Sequence, residues 1–342
     1  MSTFYEWRDA PRAEYGVIGD PIAHSWSPKL HRAAYRALGL EERYEAIRVP
    51  LDEFVAALAH LTGLGYRGLN VTIPLKESAF AWALSVDDAS TPYRALNTLS
   101  LADRRGTNTD APGFLDMLAN LGFPTPPHAV RGTFTATKER VTQGESYPEG
   151  AQEVLASAQG PAPSAQGVSA STQGPAPSAQ GQSGPHPLAP SPPEWRGGTC
   201  SVLILGAGGT ARTLAIALQD CGFKVTLWNR TRQRAEDLAR EIPGLVVVDE
   251  PKTEGFGLIV NATAAGLSGE APPVDWTGAD PNALAIDAVY ASEPTPFLVA
   301  ACAHGLKAAD GRLMLVAQAA RAFAWWHGVA PPYAAMLDAV PD

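Results

Sequence analysis

Between Tyr15 and about Gly122, short β-branched runs (YGVIG, YEAIRVP, GLNVTIP, NTLSLA) alternate with stretches whose apolar residues recur at helical spacing, among them SPKLHRAAYRALG and LDEFVAALAHLTG. Short apolar runs read as strands and a 3.6-residue period reads as a helix facing a core. Their alternation predicts an α/β layer domain. The pattern stops at about Pro124. From there to Pro193 the chain is mainly Pro, Ala, Ser, Gln and Gly, and QGPAPSAQG occurs twice, starting at Gln159 and again at Gln173. Such a composition cannot bury enough apolar area to offset an ordering entropy of roughly 1–2 kcal/mol per residue, so disorder is expected from about 128 to 195. The stretch RGTFTATKERV, near its start, can form at most a short transient strand.

Periodicity resumes at CSVLILGAGGTARTLAIALQDCG, where an apolar strand runs into a glycine turn and then an Ala/Leu helix. A strand KVTLWN, a helix TRQRAEDLAREI and strands LVVVD, LIVNAT and LAIDAVY follow. Repeated βα units of this kind wind a parallel sheet. The segment GRLMLVAQAARAFAWWHG reads as a long helix, with Leu313, Val316, Ala317, Ala320 and Phe323 near one face.

Composition narrows the function. A chain of 342 residues has room for two domains plus the insert. Its formal net charge of -9 leaves no basic footprint for nucleic acid, so small molecules are the expected partners. The three cysteines, Cys200, Cys221 and Cys302, form neither a CxxC nor a Cys/His cluster at metal-ligand spacing, which suits a reducing cytoplasm and argues against a metal. The N-terminus lacks the apolar core of a signal peptide, and nowhere do about 18 apolar residues run uninterrupted, so a soluble, unsecreted protein is expected.

Gly206-Ala207-Gly208-Gly209-Thr210-Ala211 sits directly after a strand and opens a helix, the setting of a phosphate-binding turn. The first glycine permits the tight turn, the second lets backbone approach a pyrophosphate, and Ala211 lets helix and strand pack. About twenty residues on, NAD enzymes place an acid on the ribose 2'-hydroxyl. This chain has Asn229-Arg230-Thr231-Arg232-Gln233-Arg234 instead. Guanidinium groups pair with a 2'-phosphate in a fork, which favours NADP over NAD. The alternative is an ordinary solvated helix start, although three cations there oppose the helix dipole unless an anion sits nearby.

In Gly19-Asp20-Pro21-Ile22-Ala23-His24-Ser25-Trp26-Ser27-Pro28, Ser27 is a natural N-cap and Pro28 a natural first helical residue. Two hydroxyls beside a helix N-terminus also make a carboxylate receptor, and binding and capping both remain open. In GLNVTIPLK the strand breaks at Pro74 and Lys76 falls in a first helical turn, where a cation costs about 0.3–1 kcal/mol. A local rule broken without visible compensation marks a candidate functional site, though a surface lysine beside Glu77 is the plain alternative. Asp110, in TNTDAPGF, is the candidate partner; it also has a sound structural role as helix N-cap before Ala111 and Pro112.

Taken in order, these segments resemble one family, the NADP-dependent shikimate dehydrogenases of aromatic amino-acid biosynthesis. The resemblance covers residues 15–123 and 199–335 and fails only over the insert. It is carried by HSWSP, GLNVTIPLK, ALNTL, TNTDAPGF, GAGGTAR, NRT, NATAAGL, DAVY followed by TPFL, and GRLMLVAQAARAF. It implies that Lys76 passes a proton to the ring ketone oxygen as hydride arrives from NADPH, with Asp110 as its hydrogen-bonding partner. It further implies that Ser25, Ser27 and Tyr290 hold the substrate carboxylate, while Thr72, Asn97, Asp110 and Gln318 read the ring hydroxyls. The nicotinamide is expected near Ala288 and Gly311, with Asn261, Ala262 and Thr263 lining the cofactor cleft and Asp88 near the cofactor.

The implied architecture is an α/β protein of two domains with the active site in the cleft between them. Residues 1–127, with 312–342 packing back, form the substrate domain; 128–197 are the insert; 198–311 are an NADP-binding Rossmann domain. The insert is the one departure, and because long loops cost only about 0.6 kcal/mol per doubling of length it is expected to be tolerated. The implied reaction is the reversible reduction of 3-dehydroshikimate to shikimate by a cytoplasmic monomer or homodimer. A quinate/shikimate dehydrogenase using NAD is the nearest alternative, opposed by the arginines after Asn229. A non-catalytic NADP-binding sensor is another, opposed by the presence of both Lys76 and Asp110.

Overall fold

The apolar runs before the insert pair into a seven-stranded sheet. In the computed structural model, which describes residues 4–123, 125 and 201–341, its strands are β1 (Phe4–Glu6), β2 (Tyr15–Gly19), β3 (Tyr44–Arg48), β4 (Gly68–Val71), β5 (Ser85–Val86), β6 (Thr98–Ser100) and β7 (Arg105–Thr107). Their spatial order is β1-β3-β2-β4-β6-β7-β5. β2 lies inside the sheet, parallel to β3 and β4 with Ile18 opposite both Ile47 and Val71, and every one of its residues is buried. That double-sided burial explains why YGVIG is apolar throughout rather than alternating. β6 runs antiparallel to both β4 and β7, so the sheet is mixed. Helices α1 (Ser27–Leu38), α2 (Phe54–Leu64), α3 (Lys76–Trp82) and α4 (Asp110–Asn120) accompany it.

After the insert, β8 (Ser201–Leu205), β9 (Lys224–Trp228), β10 (Val246–Val247), β11 (Leu258–Asn261), β12 (Leu284–Asp287) and β13 (Lys307–Ala309) form a six-stranded sheet, all parallel, in the order β10-β9-β8-β11-β12-β13. Counted from β8 this is 3-2-1-4-5-6, the doubly wound order, with its reversal between β8 and β11. Ligands of such sheets bind outside the strand C-termini at that reversal. Helices α5 (Gly209–Asp220), α6 (Arg232–Glu241) and α7 (Pro296–Ala303) connect the strands, and α8 (Arg312–His327) and α9 (Tyr333–Asp338) close the chain.

Three elements differ from the sequence pattern. β1 forms in a segment with no strand signature, because Phe4–Glu6 pair in register with Ala46–Arg48 of β3. The run LVVVD contributes only Val246 and Val247, paired at the sheet edge, where Val246 stays exposed. Instead of one apolar face, α8 buries every residue from Met314 to Ala320. It does so because Met314 joins the core under the second sheet, while Leu315, Val316, Ala319 and Phe323 join Tyr35 and Tyr44 in the core of the first. All described elements accordingly belong to one compact unit. The expectations for 128–195 and for RGTFTATKERV lie outside the described residues. Of the cysteines, Cys221 is buried and Cys302 exposed, both free. No helix among the described residues is long and apolar enough to cross a membrane.

Candidate active site

β4 delivers Thr72, Ile73 and Pro74 to the chain turn that starts α3, and Lys76 is the first residue of that helix. Its Nζ donates to Asp110 Oδ2 at 2.6 Å and to Thr210 Oγ1 at 3.2 Å. The side chains of Lys76 and Asp110 are 13% and 8% exposed. A cation at the positive end of a helix is thus compensated by a nearly buried carboxylate. Asp110 is not the N-cap of α4, as its position suggested. Asn108 Oδ1 accepts from the N–H groups of Asp110 (3.0 Å) and Ala111 (3.1 Å), so the cap is made two residues upstream and the Asp110 carboxylate is free for other work. Asp110 Oδ1 accepts from Asn97 Nδ2 at 2.9 Å, and the same amide lies 3.3 Å from Gln318 Oε1. Lys76, Asp110, Asn97 and Gln318 form one network drawn from α3, α4, the entry to β6 and α8.

The capping expected of Ser27 is made by Ser25 instead. Ser27 is itself the first residue of α1, and Ser25 Oγ accepts from its N–H at 3.3 Å. Both serines are buried. Tyr290 follows β12; its hydroxyl accepts from Trp26 N–H at 3.4 Å and its ring packs on Trp26 with centroids 4.8 Å apart. Burial pushes the Tyr290 phenol up, the Trp26 N–H acting weakly the other way, so it remains a neutral hydroxyl. Ser25, Ser27, Thr72, Lys76, Asn97, Asp110, Tyr290 and Gln318 all line one cavity of about 210 Å³.

The opposite wall of that cavity comes from the second sheet: Thr210, Ala262, Thr263, Ala288 and Gly311. Gly206 follows β8 with φ +122, and a Cβ there would sit 3.0 Å from Ala262 O, so no other residue fits without strain. Gly208 has φ -95, and a Cβ there would meet nothing within 4 Å: this side of the turn is open. Gly209 begins α5, and a Cβ there would lie 3.6 Å from the Lys76 Cβ, while Ala207 packs partly on the core and Ala211 is fully buried in it. Unlike Ala262 and Thr263, Asn261 is fully buried and does not line the cavity. It accepts from Thr263 N–H and Oγ1 and donates to Asp287 Oδ1, joining the ends of β11 and β12.

Beyond β9, Asn229 Nδ2 donates to Thr231 O at 2.8 Å and Gln233 donates to Asp237 at 2.9 Å. Arg232 is engaged by Glu236 at 2.6 Å and by Asp249. Arg230 and Arg234 are exposed and have no ion-pair partner among the described residues. An open glycine side beside a helix start, followed by two unpaired guanidinium groups, suits a phosphorylated dinucleotide. Asp88 is exposed and does not line the cavity; its neighbour Asp87 serves the local turn by accepting from Ser90 N–H. No His, Cys, Asp and Glu grouping able to hold a metal ion occurs among the described residues.

Known proteins share this layout. A family model described as the shikimate dehydrogenase substrate binding domain matches residues 17–99, one described as shikimate / quinate 5-dehydrogenase matches 196–254, and one described as the shikimate 5'-dehydrogenase C-terminal domain matches 311–340. The shikimate dehydrogenase (NADP(+)) of Acidiphilium cryptum is 36% identical over 323 residues, 92% of this chain and 91% of its own. The chain belongs to the shikimate dehydrogenase family. A second relative, the shikimate dehydrogenase (NADP(+)) of Thermus thermophilus, is 33% identical over 95% of this chain and 96% of its own. The crystal structure of shikimate 5-dehydrogenase from Thermus thermophilus in complex with NADP(H) and shikimate superposes with a TM-score of 0.67, covering 96% of this chain and 98% of that one. That of Aquifex aeolicus shikimate dehydrogenase, 28% identical, gives 0.69 over 96% and 98%.

Within this shikimate dehydrogenase cleft, two functional-looking amides escaped the sequence reading. Asn70 lines the cavity from β4; it accepts from the Tyr44 hydroxyl at 2.6 Å and donates to Asn97 O and Thr98 Oγ1 at 3.1 Å each. Its signal was present, since an amide inside an apolar central strand must find buried partners. Asn108, besides capping α4, donates to Ala95 O at 2.7 Å and across the cleft to Thr213 Oγ1 of α5 at 3.2 Å. Chemically, the cavity brings together three hydroxyls, the Lys76–Asp110 pair and residues of the glycine turn and strand ends of the second sheet.

Proposed function

We propose that this chain catalyses the reversible NADPH-dependent reduction of 3-dehydroshikimate to shikimate, on the route to chorismate and the aromatic amino acids. The observation that carries the reading is the Lys76–Asp110 contact at 2.6 Å on the wall of a cavity that also takes in Ser25, Ser27, Tyr290 and the turn residue Thr210. NADPH, when bound, supplies the hydride. The hydroxyls of Ser25, Ser27 and Tyr290 hold the substrate carboxylate, and Thr72, Asn97 and Gln318 orient the ring through its hydroxyls. Lys76 Nζ gives a proton to the carbonyl oxygen as the carbonyl carbon is reduced, and in reverse the neutral amine takes the hydroxyl proton. Asp110 keeps the ammonium aimed. Arg230 and Arg234 pair with the 2'-phosphate, while Arg232, already held by Glu236 and Asp249, braces the turn.

On this reading residues 1–127 with 312–342 bind substrate and 198–311 bind NADP. Asp88, like Arg230 and Arg234, is exposed outside the cavity, and on this reading it lies near the cofactor. A cytoplasmic setting goes with the scarcity of cysteine. The test is a comparison of initial rates on shikimate and quinate, each with NADP and NAD. Shikimate with NADP is expected to give the highest kcat/KM, and faster quinate turnover with NAD would overturn the assignment. Lys76→Ala is expected to abolish turnover while shikimate binding weakens only modestly; a wild type that binds both ligands without turnover would make the protein a sensor.

A further inference from the structure

α4 and α8 both carry groups of the site, and they touch most closely where Gly113 faces Gln318. A Cβ on Gly113 would lie 2.9 Å from Gln318 N and 3.0 Å from Gln318 Cβ, so the two backbones are in contact there. Three residues further along each helix, Asp116 meets Arg321 in a fork: Nε donates to Oδ2 at 2.8 Å and the second nitrogen to Oδ1 at 3.0 Å. The Asp116 side chain is fully buried and that of Arg321 is 17% exposed. We propose that the Asp116–Arg321 pair is a positioning device for Gln318, setting the affinity for substrate through the axial register of α8 against α4. The proposal rests on the reading of Gln318 as a ligand of the ring hydroxyls.

Apolar contacts and a glycine interface resist separation of the two helices but are indifferent to a slide along their axes. A two-pronged guanidinium–carboxylate contact has one geometry and forbids it. What depends on that register is specific: Gln318 Oε1 meets Asn97 Nδ2 at 3.3 Å, and that amide also holds Asp110 Oδ1 at 2.9 Å. A slip of α8 would withdraw Gln318 from the cavity; of the cofactor wall it reaches only Gly311, the residue before the helix, whose N–H is held by Val289 O at 3.1 Å. The pair is a poor source of stability. Burial pushes the Asp116 carboxyl up in spite of Arg321, so the cost of desolvation outweighs the attraction of its partner. Buried pairs of this kind can often be replaced by apolar side chains of similar volume without loss of stability. An ion pair that stabilises little, one turn from a substrate-facing amide, is explained by what it aligns.

The test uses the full-length enzyme with Asp116→Leu/Arg321→Met, read by thermal unfolding and by KM for shikimate and NADP. Thermal stability is expected to match or exceed wild type, and KM for shikimate to rise roughly two- to 150-fold, the span of coupling between contacting side chains, with KM for NADP changed much less. In a Gln318→Ala background the same double substitution is expected to add nothing. An unchanged KM, or a rise that is the same with and without Gln318, overturns the proposal while leaving the role of Gln318 intact. Gln318→Ala having no effect by itself overturns that role, and the proposal with it. Should the apolar pair not fold, Asp116→Asn, which keeps the shape and drops the charge, is put through the same cycle with the same deciding outcomes.

Discussion

Asp110 stands where a carboxylate ordinarily serves its helix, yet the first N–H groups of α4 are accepted by Asn108. Capping and chemistry, which the sequence offers as competing roles for one residue, are divided between two. They can be separated by measurement. Asp110→Asn is expected to leave urea unfolding nearly unchanged while lowering kcat by about 10²-fold or more, the range for a misplaced proton-transfer group. Asn108→Ala, which removes the cap and its bonds to Ala95 O and Thr213, is expected to cost about 1–2 kcal/mol of stability in the same assay. If instead Asp110→Asn is the destabilising change, the division of roles is wrong. At this scale the legible signal was a violation: Lys76 at the wrong end of a helix. Its compensation by Asp110 was not legible, because the two residues are 34 apart in sequence and only the tertiary fold brings them together. The swap of Ser25 for Ser27 as cap has a similar cause, since the helix begins one residue earlier than Pro28 suggests.

Among elements, those with dense local signals were readable and those held by pairing were not. The run from β8 through the glycine turn into α5 declares itself, because each of its residues meets a local demand of strand, turn or helix. β1 and β13, of three residues each, exist because a neighbouring strand offers them a register, and for the same reason β10 takes up only two residues of the run LVVVD. The glycine turn itself permits a test in which two similar substitutions have different outcomes. Gly206→Ala places a side chain at φ +122 and against Ala262 O, and is expected to destabilise the protein by about 1–3 kcal/mol. Gly208→Ala meets no neighbour at an ordinary φ, so thermal unfolding is expected to match wild type. Its Cβ instead enters the space read as belonging to the pyrophosphate, and KM for NADP is expected to rise with KM for shikimate unchanged. Equal KM values for NADP in Gly208→Ala and wild type would remove that turn from the cofactor site.

At the scale of the molecule, the fold class was legible but the joining of its parts was not. Nothing in GRLMLVAQAARAF announces that α8 sits in two cores at once, and that sharing is why the aromatic cluster behind α1 depends on both ends of the chain. In that cluster His31 is fully buried and stacks on Tyr44 at 4.2 Å and 3°, and His327, with its side chain 3% exposed, packs on Tyr15 and Phe323. Burial first, and the charge of His327 second, hold His31 down to about 3; burial, then Arg67, holds His327 down to about 4. Above the unfolded value of about 6.5 both states are neutral and the stabilisation is complete. As pH falls, the unfolded chain takes up the protons while the folded one refuses them until about 4 and then 3, so stability is lost across that window. For His31 the loss at pH 5 relative to neutral pH is about 2 kcal/mol. Glu42, near His327 and pushed up by burial, acts in the opposite sense at lower pH, so the wild-type curve alone mixes the two. His31→Phe keeps a planar ring against Tyr44 and removes the proton site. Urea unfolding at pH 7.5 and pH 5 is therefore expected to show the variant losing about 2 kcal/mol less than wild type over that interval. A parallel loss in both proteins would mean that His31 is charged inside the folded core.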